Sequence, residues 1–197
     1  MFRQTTKTVA ALLAALTPMA APSKAEVIAQ SDVGFVVKLI TETTAQPADA
    51  WRMLVAPAKW WSSDHTWSHD AANLYLDAQG SGCFCEKLPK PVEAPVGQRI
   101  GSVEHMHVIY ADPHRGILRM SGALGPLQGE ALNGTLTVTL IKTETGTRID
   151  LEYVVGGYMR FKGAEIAPAV DTMLGQQLAN LAAMLNVAPP SAPSAPG

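Results

Sequence analysis

The chain has 197 residues, 47% hydrophobic and 16% charged, with 15 Lys and Arg against 17 Asp and Glu and a formal charge of −2. That balance excludes a protein held to nucleic acid by clustered basic side chains. The length suits one domain with a full hydrophobic core.

The chain opens MFRQTTKTVAALLAALTPMAAPSKA, with Arg3 and Lys7 ahead of an apolar run over residues 9–16 and a small-x-small ending at Ser23-Lys24-Ala25. This predicts a secretory signal peptide over residues 1–25. The apolar run falls short of the ~20 residues a membrane-spanning helix needs. No later stretch is longer and equally apolar, so no integral membrane segment is expected after cleavage. Export is predicted, with the periplasm as the destination by analogy with similar proteins. Cleavage leaves about 170 residues and takes the formal charge to about −5, since Arg3, Lys7 and Lys24 are lost.

The domain is predicted over residues 26–186. GFVVKLITETT, residues 34–44, alternates with β-branched enrichment and reads as a first strand. Pro47 opens a helix in PADAWRMLVAPAKWW, where Trp51, Leu54 and Val55 recur at helical spacing until Pro57 stops it. Residues 60–82 are polar, aromatic and turn-rich, with one short strand in NLYLDA. Further strands are predicted in GCFCEKL, GSVEHMHVIY and ILRMSG. GTLTVTLIKT and TRIDLEYVV form a hairpin around Glu144-Thr145-Gly146. There Leu136, Val138 and Leu140 alternate with threonines, and Ile149, Leu151 and Tyr153 with charged residues, which gives one buried and one wet face.

The last element, AEIAPAVDTMLGQQLANLAAMLN, repeats Ile166, Val170, Met173, Leu174, Leu178, Leu181 and Leu185 at three and four: a long amphipathic helix. Pro168 is tolerable there only in the first turn. Residues 187–197, VAPPSAPSAPG, have no apolar period and are predicted to be a disordered tail. The order implies an α+β fold, a curved antiparallel sheet wrapped around the long C-terminal helix, with space between them for an apolar ligand.

Four residues could hold a metal. Cys83 and Cys85 share one face of their strand, His105 and His107 one face of theirs, and if register brought both pairs together the set would suit zinc or copper. A slip of one residue would send them to opposite faces. The plainer expectation is that the cysteines line the inner face while one histidine is a satisfied core residue and the other lies near the rim. A relaxed disulfide is not expected, because residues i and i+2 of a strand lie roughly 6.6 to 7 Å apart at Cα. No helix start or Cys-x-x-Cys turn is present to activate a thiol.

In KWWSSDHTWSHD, Trp60 is assigned to packing, and Trp61, His65 and Trp67 to the cavity entrance. His65, His105, Glu86 and Tyr153 are the candidate acid–base groups. Gln128, which ends GALGPLQ, is a candidate donor to a ligand carbonyl, with a plain turn as the alternative. The remaining predicted walls are Met120, Tyr153, Met173 and Leu174, beside Cys83 and Cys85. No Ser-His-Asp order, phosphate loop or HExxH is present, and no cofactor is expected.

TTAQPADAWRMLVAPAKWW, the late hairpin and the C-terminal helix make the chain, over about residues 34–186, resemble the SRPBCC superfamily, the START-like helix-grip fold shared with the birch-pollen allergen. GCFCE, VEHM, GALGPLQ and VDTMLGQQL resemble exported bacterial members of its polyketide-cyclase and heat-shock ATPase-activator-homologue branches. The resemblance implies a cavity for lipid-like or aromatic molecules, with or without catalysis. The export signal departs from the co-chaperone pattern, so that activity is not carried over. The reading is a monomeric, exported binder of a small apolar or amphipathic molecule. Its alternatives are a cyclase or dehydratase with a pocket histidine as base, and a metal-binding protein using Cys83, Cys85, His105 and His107.

Overall fold

Residues 24–186 are described in a computed structural model. The predicted tail and all but the last two residues of the predicted signal peptide lie outside them. The sequence alternation is realised as eight strands: β1 (Lys24–Ser31), β2 (Gly34–Thr43), β3 (Leu74–Leu76), β4 (Cys83–Leu88), β5 (Gly101–Asp112), β6 (Ile117–Gly122), β7 (Ala131–Lys142) and β8 (Thr147–Tyr158). They form one antiparallel sheet in the order β1-β2-β8-β7-β6-β5-β4-β3. Among the described residues two α-helices accompany it, α1 (Pro47–Leu54) and α2 (Gly163–Leu185). This is a helix-grip α+β fold.

The inner face follows the period of two. Phe35, Val37 and Leu39 of β2, Leu136, Val138 and Leu140 of β7, and Ile149, Leu151 and Tyr153 of β8 are all buried. Against them α2 sets Val170, Leu174, Leu178, Leu181 and Leu185. Each such buried Leu contributes roughly 1.5–3 kcal/mol of transfer free energy. The far end of α2 is tied down by Asn186, whose Oδ1 accepts from Thr43 Oγ1 at 2.9 Å and from the Thr44 N–H at 3.1 Å.

Two expectations are corrected. Strand β1 was not anticipated: KAEVIAQS has little β-branched or aromatic signal, and its pairing with β2, not its own propensity, makes it a strand. It begins two residues before the predicted domain start. Pro168 lies inside α2, in its second turn rather than its first. The carbonyl its missing N–H would have met, that of Ala164, belongs to a residue on the exposed side along with Pro168 itself, so water can serve it.

Candidate functional site

The site is organised by a bulge. β4 pairs Phe84 with Met106 but Cys85 with Glu104, leaving His105 as an extra residue in β5. Because of that extra residue, His105 and Met106 are both buried, whereas Glu104 and His107 are exposed. On β4 the inward residues are Phe84 and Glu86, so Cys83 and Cys85 lie on the opposite face, in register with His107 and Glu104.

The four proposed metal ligands therefore do not converge. His105 faces in and His107 faces out, where its Nδ1 lies 3.2 Å from Glu104 Oε1. Cys83 and Cys85 are bonded to each other as a disulfide. Their Cα atoms are 5.3 Å apart, within the range for a bridge and below that of a fully extended strand. The expectation against a bridge assumed regular β geometry, which the strand abandons beside the bulge. Neither cysteine lines the two spaces described below.

Glu86 is 0% exposed. Its carboxylate accepts the backbone N–H of Trp67 at 3.0 Å, the backbone N–H of Ser68, and His105 Nε2 at 3.0 Å. Burial alone would raise its pKa. The hydrogen bonds from Ser68, Trp67 and His105 outweigh that and hold the carboxyl below its usual 4.5. His105 is lowered from 6.5 by burial, a shift that the bond to Glu86 and its charge oppose without cancelling. Its ring packs on Phe84 at 5.1 Å between centroids, and Phe84 in turn meets the edge of Trp61.

Both shifts act on stability in one direction. Below about pH 6.5 the unfolded chain takes up a proton on His105 that the folded chain resists, and below about pH 4.5 the same holds for Glu86. Stability is therefore expected to be highest above pH 6.5 and to fall in two stages on acidification. Urea midpoints at pH 7.5, 5.5 and 4 check this; a flat profile would contradict it.

Trp67 and Ser68 end a loop, residues 60–70, that covers the helix side of the site. Trp60 is fastened by its Nε1 to Met53 O at 2.9 Å, and Trp61 by its Nε1 to His65 O at 3.0 Å. Two amides of α2 hold the loop across: Gln177 Oε1 accepts the Ser62 N–H at 2.8 Å, and Gln176 Oε1 lies 3.0 Å from His65 Nε2. Gln177 is buried among the leucines, and sequence reasoning passed over it because an amide on an apolar stripe looks like a flaw in the period.

Between this loop, α2 and a short 3-10 turn at Gly125–Gly129 lies a cavity of about 340 Å³. Trp61, His65, Trp67, His105 and Met173 of the predicted set line it, with Asp64, Thr66, Leu124, Leu127, Ile166, Ala169 and Val170. The space under the middle of α2 is only about 30 Å³, and Met120 and Leu174 face that, with Trp61 between the two. The sheet–helix interior is thus filled, and the open volume sits at its mouth.

Tyr153 and Gln128 line neither space. Tyr153 is fully buried and fixes the turn: its hydroxyl donates to Gly122 O at 3.2 Å and accepts the Leu124 N–H at 3.3 Å. Burial pushes its pKa up to about 12, so it stays a neutral donor. Gln128 is exposed, and its Nε2 donates to Glu104 O at 2.8 Å, tying the turn to β5 instead of meeting a ligand.

No family model matches the chain, and no curated protein does. Solved structures do. An uncharacterized protein from Rhizobium leguminosarum is 17% identical with a TM-score of 0.57, over 83% of this chain and 97% of that one. CalU16 from Micromonospora echinospora is 13% identical at 0.54, over 87% and 88%. Ara h 8.0201 is 8% identical at 0.52, over 76% and 96%. At such identities the likeness is one of fold, the helix-grip arrangement of a curved antiparallel sheet and a long C-terminal helix.

Proposed function

We propose that this helix-grip chain binds a small amphipathic molecule in the cavity at the mouth of the sheet, between the loop of residues 60–70 and the first half of α2. The observation that carries the reading is the cavity itself: about 340 Å³, within the range of small-molecule sites, walled mainly by apolar and aromatic side chains, with the buried His105–Glu86 pair at one side. Among the described residues no helix is long and apolar enough to cross a membrane. The proposal of export rests on residues 1–25 alone; sequencing the isolated protein from its N-terminus, Glu26 on this reading, tests it.

The neutral dye N-phenyl-1-naphthylamine is expected to bind with enhanced emission. Met173→Trp, which fills the cavity from α2, should weaken binding at least tenfold while leaving the urea midpoint close to wild type. Undiminished binding in that variant would place the ligand elsewhere. The Glu86–His105 bond also suits an enzyme of the cyclase or dehydratase type, with His105 taking a proton from an enolisable substrate. That reading needs a turnover, which a panel of aromatic and polyketide-like substrates tests.

A further inference from the structure

The polar end of the cavity has a defined hydrogen-bonding sense. Glu86 already accepts two backbone N–H groups, and an ionised carboxylate can only accept. The atom facing it, His105 Nε2, must therefore carry the proton. A neutral imidazole with its proton on Nε2 has a lone pair on Nδ1, and Nδ1 has no partner among the described residues. His105 is part of the cavity wall and its Nδ1 is not closed off by protein atoms, so this lone pair is the acceptor offered to whatever enters.

The rest of the wall is ill suited to an anion. No Lys or Arg lines the cavity, and Asp64 does. Two of its polar hydrogens are already engaged, that of Trp61 Nε1 on His65 O and that of Thr66 Oγ1 on Ser63 O. The Gln128 amide is turned away to Glu104 O. A carboxylate brought here would lose its water, meet a lone pair and lie near a buried negative charge.

Resting on the reading of this cavity as a ligand site, we infer that its ligand carries a neutral hydroxyl, an alcohol or phenol, which donates to His105 Nδ1, and that carboxylates of the same shape are rejected. The hydroxyl orients the molecule with its apolar body along Trp61, Leu124, Ile166 and Met173. Selection is thus by one hydrogen bond and by charge, with shape common to both classes.

Three two-ring aromatics of nearly equal shape test this by calorimetric titration of the full chain at pH 7.5: 2-naphthol, 2-methylnaphthalene and 2-naphthoate. 2-Naphthol should bind about tenfold tighter than 2-methylnaphthalene, the increment of one neutral hydrogen bond, and 2-naphthoate should be the weakest. Long-range proton–nitrogen correlation spectra should show the Nε2–H tautomer and a shift of the His105 Nδ1 resonance on adding 2-naphthol. That readout needs no variant, so a poorly folding His105 substitution cannot obscure it. Equal binding of 2-naphthol and 2-methylnaphthalene, naphthoate as tight as naphthol, or an unmoved Nδ1 resonance would overturn the inference while leaving the cavity a binding site. If none of the three binds, the cavity reading falls and the inference falls with it.

Discussion

Glu86→Ala is expected to destabilise the protein by about 3–5 kcal/mol, because three neutral N–H groups lose their acceptor at about 1–3 kcal/mol each where they are buried. The alanine would leave two backbone N–H groups and an imidazole N–H facing an enclosed space with no acceptor. Because two of those groups belong to Trp67 and Ser68, the loss is also mechanical. The loop that carries Trp61, His65 and Trp67 over the cavity would be released at its C-terminal end, still held by Gln176 and Gln177 at the other. Glu86→Gln keeps one acceptor oxygen but presents an NH₂ to a second donor, and should cost about 1–2 kcal/mol. Urea unfolding gives the totals, and amide exchange at Trp67 and Ser68 locates the effect. A loss under 1 kcal/mol for the alanine variant would mean that water replaces the carboxylate, and that Glu86 is not what fastens the loop.

Gly134→Val should cost more than about 3 kcal/mol, or prevent folding, although it adds the kind of residue a strand favours. Gly134 lies on the inner face of β7, and a Cβ there would overlap the ring and hydroxyl of Tyr153. Tyr153 cannot move aside without leaving both Gly122 O and the Leu124 N–H, and it is enclosed on every side. The substitution therefore reaches the cavity indirectly, through the turn that supplies Leu124 and Leu127 to its wall. Tyr153→Ala in the Gly134→Val background separates overlap from propensity: recovered stability relative to the single Gly134→Val variant would show that the ring is what the valine strikes. A Gly134→Val protein as stable as wild type would show that the ring has room the structure does not give it.

Much of the scaffold is visible in local patterns. The period of two in β7 and β8 and the spacing of three and four from Val170 to Leu185 each depend only on which side of one element is apolar. Each therefore appears in the structure with its buried face as read. Trp61, His65, Trp67, His105 and Met173 line one cavity because the loop of residues 60–70 had to close over an apolar mouth.

What failed concerns parity and depth. The His105 bulge and the contraction beside Cys83 and Cys85 depend on how β4 and β5 meet across the connection at residues 89–100, and no local period reports that meeting. The same applies to Tyr153, Met120 and Leu174. Their apolar character marks them as inward, but whether an inward side chain ends in a filled core or at an open cavity is settled by what packs against it from distant parts of the chain. Sequence alone determined most of the elements, the buried faces of β7, β8 and α2, and the fold class, because these follow from side-chain periodicity within one segment. Only the tertiary structure decided that Glu86 and His105 would meet in the dark, that the cysteines would turn away and bond, and that the open volume would lie at the mouth, because each results from register between segments separated in the chain.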